Sequence, residues 1–442
     1  MQVVGSFDRL LHQLAPALTG PTFTRLHTLL IGWVFANHRT VTGMIRAAHA
    51  VDRAHFSLYH RVFGASAMCV DRMGLIVFGL ILKALPDDAE IPLSLDDTLA
   101  HKRGARVFGV GMHHDPQLSS RRRTVTSWGH SWVVLCVVVR LPFAPDRAFS
   151  LPVLSRLYLN TAAAERDGAP HLPRPQLAVQ MVHKLCASRP QRRFHLVGDS
   201  AYSGAGVVGV LPGNCHFTGR LHPDARLYEP APRRAPGTNG RPRVRGARLP
   251  SPRRMLAERT GREIKLDIYG RRSRVRVVEA EARVYKLPGV PLRVVAVEDL
   301  DGGRGAEAFF STEVEEAAGE AAEQVLVRYA DRWSIEVTFK DAKQSLGVEQ
   351  PQGWSEKAAR RTAPVGLLMY SLIVLWFAEH GHARYRKVDL PWYRHKPHPS
   401  FADMLGTLRR QSVKQTLLKT PLRGPGSRKV MRIIDTAFAA AA

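Results

Sequence analysis

The chain has 442 residues, 64 Lys and Arg against 38 Asp and Glu, a formal net charge of +26 and a pI near 10.7. Its 45% hydrophobic content is that of a globular protein and excludes a disordered tail, and its length allows roughly two to four domains or one elaborated domain. The charge excess points to a polyanionic partner, nucleic acid before an anionic membrane surface.

The opening stretch MQVVGSFDRL lacks the basic region and long apolar run of a signal peptide. From there to about residue 88, apolar residues recur at helical spacing in LLHQLAPAL, RLHTLLIGWVF and RMGLIVFGLILKAL, which predicts helices. Two short helices are expected within this region, one from Thr42 as N-cap to about Ala50 and one from Arg53 to Phe63. The second carries His55, Ser57, Tyr59, His60 and Arg61. Those side-chain types suit a helix-turn-helix that meets phosphates and base edges, and equally a bundle with a solvated face. From about Ile91, PLSLDD, RVFGVGM and SWVVLCVVVRLPF are rich in Val and Leu, bounded by Gly, Pro and charge, and read as strands. A helix over about Pro175–Ala187 and a strand in RRFHLVGDSAYSG follow, so an α/β core with a mixed sheet is expected.

Residues 220–254 hold ten arginines and two acids among many Pro and Gly. They read as a loop that tracks a phosphate backbone, or as a disordered basic linker. EIKLDIYG, SRVRVVEAEARVY and LRVVAVEDL alternate as strands in hairpins, and a helical stretch runs from near Val314 through Leu346. Another spans about Glu356–Glu379; its most apolar part, Val365–Ala378, is shorter than the roughly 18–20 residues that cross a bilayer and reads as a buried core helix. Helical pieces such as FADMLGTLRRQSV close the chain. Cys69, Cys136, Cys186 and Cys215 lie far apart with no CxxC pair, so neither a zinc ribbon nor a dense disulfide framework is expected. A soluble, cytoplasmic protein in a reducing compartment fits these features.

Acids at the ends of apolar strands stand out in so basic a chain. Asp96 and Asp97 end the strand PLSL and Asp199 ends FHLVG. Ligands gather at such strand ends in open α/β sheets, although Asp also caps turns. In RYADRWSIEVTFKDAKQSLG, one continuous helix would bring Tyr329, Arg332, Glu336 and Lys343 within about 60° of arc. Ile335, Phe339, Ala342 and Leu346 form the apolar stripe beside them. Converging carboxylates repel one another unless they hold divalent cations, and oxygen ligands suit Mg²⁺ or Mn²⁺. Two such ions, about 3.5–4 Å apart, can activate a water or a 3′-hydroxyl for phosphodiester displacement. His113, His114 and Asp115 are set aside as metal ligands, because neighbours on a strand point apart and a turn is expected there.

As a set, these motifs resemble those of the DDE transposases of bacterial insertion sequences, which have a ribonuclease H-like core. Y-x2-R-x3-E-x6-K at Tyr329, Arg332, Glu336 and Lys343 is similar to the signature of the group related to insertion sequence four. DDT at Asp96–Thr98 and GDSAY at Gly198–Tyr202 are similar to that group's first- and second-acid motifs. The resemblance spans roughly 90–380. It implies an α/β fold, a ribonuclease H-like mixed sheet interrupted by a β-rich insertion, with helical N- and C-terminal regions. The 137 residues from Asp199 to Glu336 leave room for that insertion. The implied division is a helical domain at 1–88 with possible DNA binding, core at 89–215, basic loop and β-rich insertion at 216–312, catalytic helices at 313–380 and a basic helical tail at 381–442.

The resemblance further implies that Asp96 or Asp97, Asp199 and Glu336 are catalytic and bind two Mg²⁺ ions, with Mn²⁺ as substitute. Strand alternation lets only one of Asp96 and Asp97 face the site, with a slight preference for Asp96. Tyr329, Arg332 and Lys343 would contact DNA phosphates. Trp128, Trp132 and Trp354 match, by type only, an aromatic residue that stacks a flipped base; core packing is the alternative. The implied function is binding of terminal inverted repeats, metal-dependent cleavage and strand transfer. It would be carried out by a homodimer on double-stranded transposon-end and target DNA at the nucleoid, with no membrane. The alternatives are a nuclease of the same fold without strand transfer, a catalytically inactive DNA-binding descendant, and a chromatin-type basic protein.

Overall fold

In the computed structural model, which describes residues 1–120, 122–232, 243–268, 271–302, 305–315, 320–387, 397–419 and Val430, the N-terminal helical pattern becomes five α-helices. These are α1 (Gly5–His12), α2 (Gly20–Phe35), α3 (Val41–Ala47), α4 (Phe56–Gly64) and α5 (Val70–Leu82). The N-cap of α3 is Thr40, not Thr42: the Thr40 side chain accepts from Gly43 N. The following helix starts at Phe56 rather than Arg53, with His55 as its cap. Tyr59 is buried in the core, so of the side chains expected to meet DNA here it is unable to; His60 and Arg61 face solvent.

Helix α2 approaches α3 closely because Gly32 has no side chain. A Cβ at this position would meet Met44 O at 2.0 Å, which is backbone and unable to swing aside. Gly32→Ala must therefore push the two helices apart. We expect a loss of roughly 1–3 kcal/mol or more, read as a lower urea midpoint at unchanged slope.

The remaining elements follow in order. Strands β1 (Ile91–His101), β2 (Gly111–His114), β3 (Thr126–Leu141) and β4 (Ala144–Tyr158) come first. Then come α6 (Thr161–Asp167), α7 (Arg174–Ala187), β5 (Phe194–Gly198), α8 (Ala205–Val208) and β6 (Cys215–Leu221). Next are β7 (Leu227–Tyr228), β8 (Arg248–Leu249), α9 (Pro252–Glu258), β9 (Arg262–Ile268), β10 (Arg271–Val284), β11 (Leu287–Asp299) and β12 (Glu307–Ser311). The chain continues through α10 (Glu320–Asp331), α11 (Ser334–Gln344), α12 (Glu356–Trp376) and α13 (Phe401–Lys419).

Among the described residues the strands form one 12-stranded mixed sheet, ordered β2-β3-β1-β5-β6-β12-β11-β10-β7-β8, with β4 paired to β3 and β9 to β10. β5 runs parallel to both β1 and β6, while the other pairings are antiparallel. The strands from β9 to β12 thus continue the same sheet through the β12–β6 pair. Two expectations need correction. RVFGVGM is mostly turn, and the strand begins only at Gly111. The acids do not end β1, which runs on through Asp96 and Asp97 to His101.

Helix α12 forms the spine of the helical layer, with nearly all of its length buried. The stretch Glu356–Arg384 is long and apolar enough to cross a membrane by length and composition, yet its apolar window is 89% buried inside the protein. Helices α1, α4 and α5 all pack on α12. The two ends of the chain meet here as well: Val4 N donates to Ser412 Oγ at 2.9 Å and Gly5 N to Gln415 Oε1 at 2.8 Å. Residues 233–242 of the basic segment, and 388–396, 420–429 and 431–442 of the C-terminal tail, lie outside the described residues.

Candidate active site

Parallel pairing between β1 and β5 ends at Leu95 and Gly198. The next residues, Asp96 and Asp199, stand where the two strands part. Asp199 opens a tight turn in which its Oδ1 accepts from Ala201 N at 2.9 Å and its carbonyl from Ser203 Oγ at 2.8 Å. Alternation along β1 then separates the two neighbouring acids. Asp96 takes the face covered by α11, where Arg332 Nη1 donates to its Oδ2 at 2.6 Å. Asp97 takes the opposite face, where Tyr202 donates its hydroxyl to Oδ1 at 3.2 Å and Arg174 Nε lies 3.3 Å from Oδ2.

Glu336 sits in the first turn of α11. Two contacts fix that turn over the sheet. Ser94, Ser150 and Ser334 form a chain of hydroxyls at 2.8 and 2.6 Å, and Thr338 Oγ1 donates to Ser150 O at 2.7 Å. Ile335, Phe339 and Ala342 bury the apolar face beneath them, as the spacing predicts. Arg332 Nη2 reaches Glu336 Oε1 at 3.4 Å, so one guanidinium spans two acids from different elements.

The expected continuous helix is in fact broken at Arg332–Trp333. The backbone there bonds three residues back, as in Ile335 N to Arg332 O and Glu336 N to Trp333 O, instead of four. The break changes the shared face. Arg332, Glu336 and Lys343 still line one cleft, but Tyr329 does not. Its ring is buried against Phe309, at 4.8 Å between centroids, with the Arg332 guanidinium above it.

The cleft has a volume of about 430 Å³, and its walls include Asp96, Asp97, Asp199 and Glu336 together with Arg332, Lys340 and Lys343. Burial is the main cause of a raised Asp96 pKa of about 7; Arg332 opposes the shift and Asp199 adds to it. Asp97 is shifted the same way, again chiefly by burial. Lys343 is lowered by burial, and its Nζ donates to Leu99 O at 2.6 Å. One guanidinium thus leaves Asp96 undercompensated among its acidic neighbours. The cluster offers only oxygen donors, a set that suits a hard divalent cation.

Two further residues line the cleft: His101, which the sequence does not single out, and Asp115, set aside as a metal ligand on the sequence; the turn expected at His113 and His114 is in fact the end of strand β2. Asp115 Oδ2 lies 2.8 Å from His101 Nε2, and its Oδ1 accepts from Gln117 and Leu118 N. Only the register that lays Gly111 beside Gly129 brings Asp115 to this place, and no local motif signals it. Of the three tryptophans, Trp132 is core, Trp128 lies under the Arg166 guanidinium, and Trp354 is 70% exposed.

No curated protein matches this chain. The model of one family, described as DDE superfamily endonuclease, matches residues 13–277, a span that holds Asp96, Asp97 and Asp199 and stops short of Glu336. That span is well over half of the 442 residues, and the chain belongs to the DDE superfamily endonucleases.

Proposed function

We propose that the protein is a transposase of the group related to insertion sequence four, with Asp96, Asp199 and Glu336 as its catalytic, metal-holding acids. One observation carries the reading: Asp96 and Asp97 from β1, Asp199 from the end of β5 and Glu336 from α11 line a single cleft with arginine and lysine at its walls. Family membership supports divalent metals and a DNA substrate. Supporting the group assignment are the spacing of Tyr329, Arg332, Glu336 and Lys343 and the strands between Arg262 and Ser311, which we assign to the group's β-rich insertion. We divide the chain at residues 88, 215, 312 and 380.

Two Mg²⁺ or Mn²⁺ ions held by these acids would activate the attacking oxygen and stabilise the leaving one. The protein's own side chains supply the rest. Arg332, paired to Asp96 in the free protein, turns to a phosphate once cations neutralise the acid. Lys340, exposed at the cleft, meets the same strand. Lys343 fixes the β1 backbone at Leu99 and adds positive potential from below. Tyr329 acts by holding Arg332 from beneath its guanidinium. Asp97, bonded to Tyr202 and Arg174 on the other face, positions β1. The substrates are the terminal inverted repeats of the element and target DNA, acted on by a homodimer at the bacterial nucleoid.

The test is cleavage of labelled DNA carrying the repeats that flank the gene, in Mg²⁺ and in EDTA, followed by joining of a pre-cut end to plasmid. Nicking at the end that needs metal, and joining of the 3′-hydroxyl, is the expected result. Cleavage without joining would leave a nuclease of this fold. Tight binding without cleavage in any metal would overturn the enzyme reading.

A further inference from the structure

At the other end of β5, three potential metal ligands meet outside the acid cleft. His195 is wholly buried on β5, Glu90 precedes β1 and Glu313 follows β12. His195 lies four residues before Asp199, about 13 Å along an extended strand, so the two groups of acids are separate. His195 Nδ1 is 3.5 Å from Glu90 Oε1 and 3.5 Å from Glu313 Oε2. His195 Nδ1 and Glu90 Oε1 are both buried, and neither makes a hydrogen bond of good geometry beyond their mutual 3.5 Å contact. Buried, unpaired polar atoms facing one another are costly and call for an explanation.

The neighbours of the imidazole are arranged as those of a metal ligand are. His195 Nε2 is 2.8 Å from Thr218 Oγ1. With Nε2–H donated to that hydroxyl, Nδ1 keeps a lone pair aimed between the two carboxylates. Arg328 donates to Glu90 Oε2 and to Glu313 Oε2, each at 2.8 Å, and so braces both acids. Two carboxylates face one guanidinium here, so the second positive charge must come from the imidazole or from a bound cation.

The donor types and two of the spacings bear on which cation would fit. The three donor atoms lie within 4.8 Å of one another. Two of the separations, at 3.5 Å, match the edge of about 3.4 Å in a tetrahedron of bonds near 2.1 Å. The corresponding octahedral edge is shorter, about 3.0 Å, as Mg²⁺ would need. A nitrogen donor beside two carboxylates favours Zn²⁺ in the same way.

The geometry points to a structural site for one divalent transition-metal cation, Zn²⁺ by preference, held by Glu90, His195 and Glu313. Such an ion ties the start of β1, the start of β5, the end of β12 and, through Arg328, helix α10. Two of these elements, β1 and β5, lead to the cleft acids Asp96 and Asp199, so the site bears on their spacing.

The test uses the full chain purified without chelators, with Asp199→Ala/Glu336→Ala as a second background that removes two of the cleft acids. Elemental mass spectrometry should find about one zinc per chain in both. Cobalt exchanged into both should give the intense visible absorption of a four-coordinate ion. Both signals should be lost in Glu90→Gln and in His195→Ala. Glu90→Gln keeps the size of the side chain and so reports even if His195→Ala fails to fold. Absence of zinc and of the cobalt band from folded wild-type protein would overturn the proposal and leave a protonated His195 closing a metal-free ion cluster. Zinc that persists in Glu90→Gln but vanishes from the cleft variant would overturn it too.

Discussion

Glu336→Gln lowers end cleavage in Mg²⁺ by about 10²–10³-fold or more while DNA binding persists. The substitution keeps the shape of the side chain and removes only its charge. Nothing in the packing of α11 depends on that charge, because Ile335, Thr338, Phe339 and Ala342 hold the helix on the sheet. Asp199→Asn behaves alike, since its Oδ1 still accepts from Ala201 N in the amide. The neighbouring pair provides the internal control. Asp96→Asn should match the loss at Glu336, and Asp97→Asn should cost less than about tenfold, because Asp97, although it borders the same cleft, is engaged by Arg174 and Tyr202 instead of by Arg332. Single-turnover cleavage of pre-bound DNA measures all four. Equal losses at Asp96 and Asp97 would refute the assignment by strand face.

The second large effect is on metal affinity against pH. Asp96 is pushed up to about 7, first by burial and then by Asp199 and Asp97, with Arg332 pulling the other way. A raised carboxyl holds its proton in the metal-free protein until pH approaches that value, and a cation must displace the proton to bind. Mn²⁺ affinity should therefore fall about tenfold per unit below pH 7 and level off above it. Arg332→Ala removes the opposing charge, so the inflection should move to higher pH. Calorimetric titration at several pH values, in buffers of different ionisation heat, reads both the affinity and the proton released. An affinity flat from pH 6 to 8 would mean that Asp96 is not a ligand.

Much of this site was legible because its chemistry lies in short local patterns. An apolar run closing on acids marked Asp96, Asp97 and Asp199, and helical spacing marked Glu336 with its buried stripe. The rest depended on pairing and on backbone detail that local patterns do not carry. Strand β4 went unread because Pro145 and Pro152 interrupt it, and Pro152 is accommodated at a register shift opposite Cys136. The break at Arg332–Trp333 carries no proline or glycine to announce it, yet it takes Tyr329 out of the cleft and into a second core with Val197, Ile264 and Phe309. Asp115 reaches the cleft through the β2–β3 register and meets there His101, the last residue of β1. Conversely, Asp96 could be separated from Asp97 only once the helices on each face of β1 were known.

The same distance in sequence governs events elsewhere in the molecule. Trp33 Nε1 donates to Leu346 O at 2.8 Å, Arg39 to Ser345 O at 2.7 Å, and α1, α4 and α5 rest on α12. Helix α5 ends at Leu82 and α12 begins at Glu356, so 274 positions separate partners that must meet. At about 5–20 residues per second a ribosome needs roughly 15–55 s to cover that interval. For that time the surfaces of the first helices that α12 covers have no native partner on the nascent chain, although α2 can already pack on α3 and α4, and α5 on β4. They wait while the sheet assembles, exposed to chaperones and to one another. The helical layer is therefore completed last, and production at low temperature or with raised holdase levels should improve the yield of folded protein.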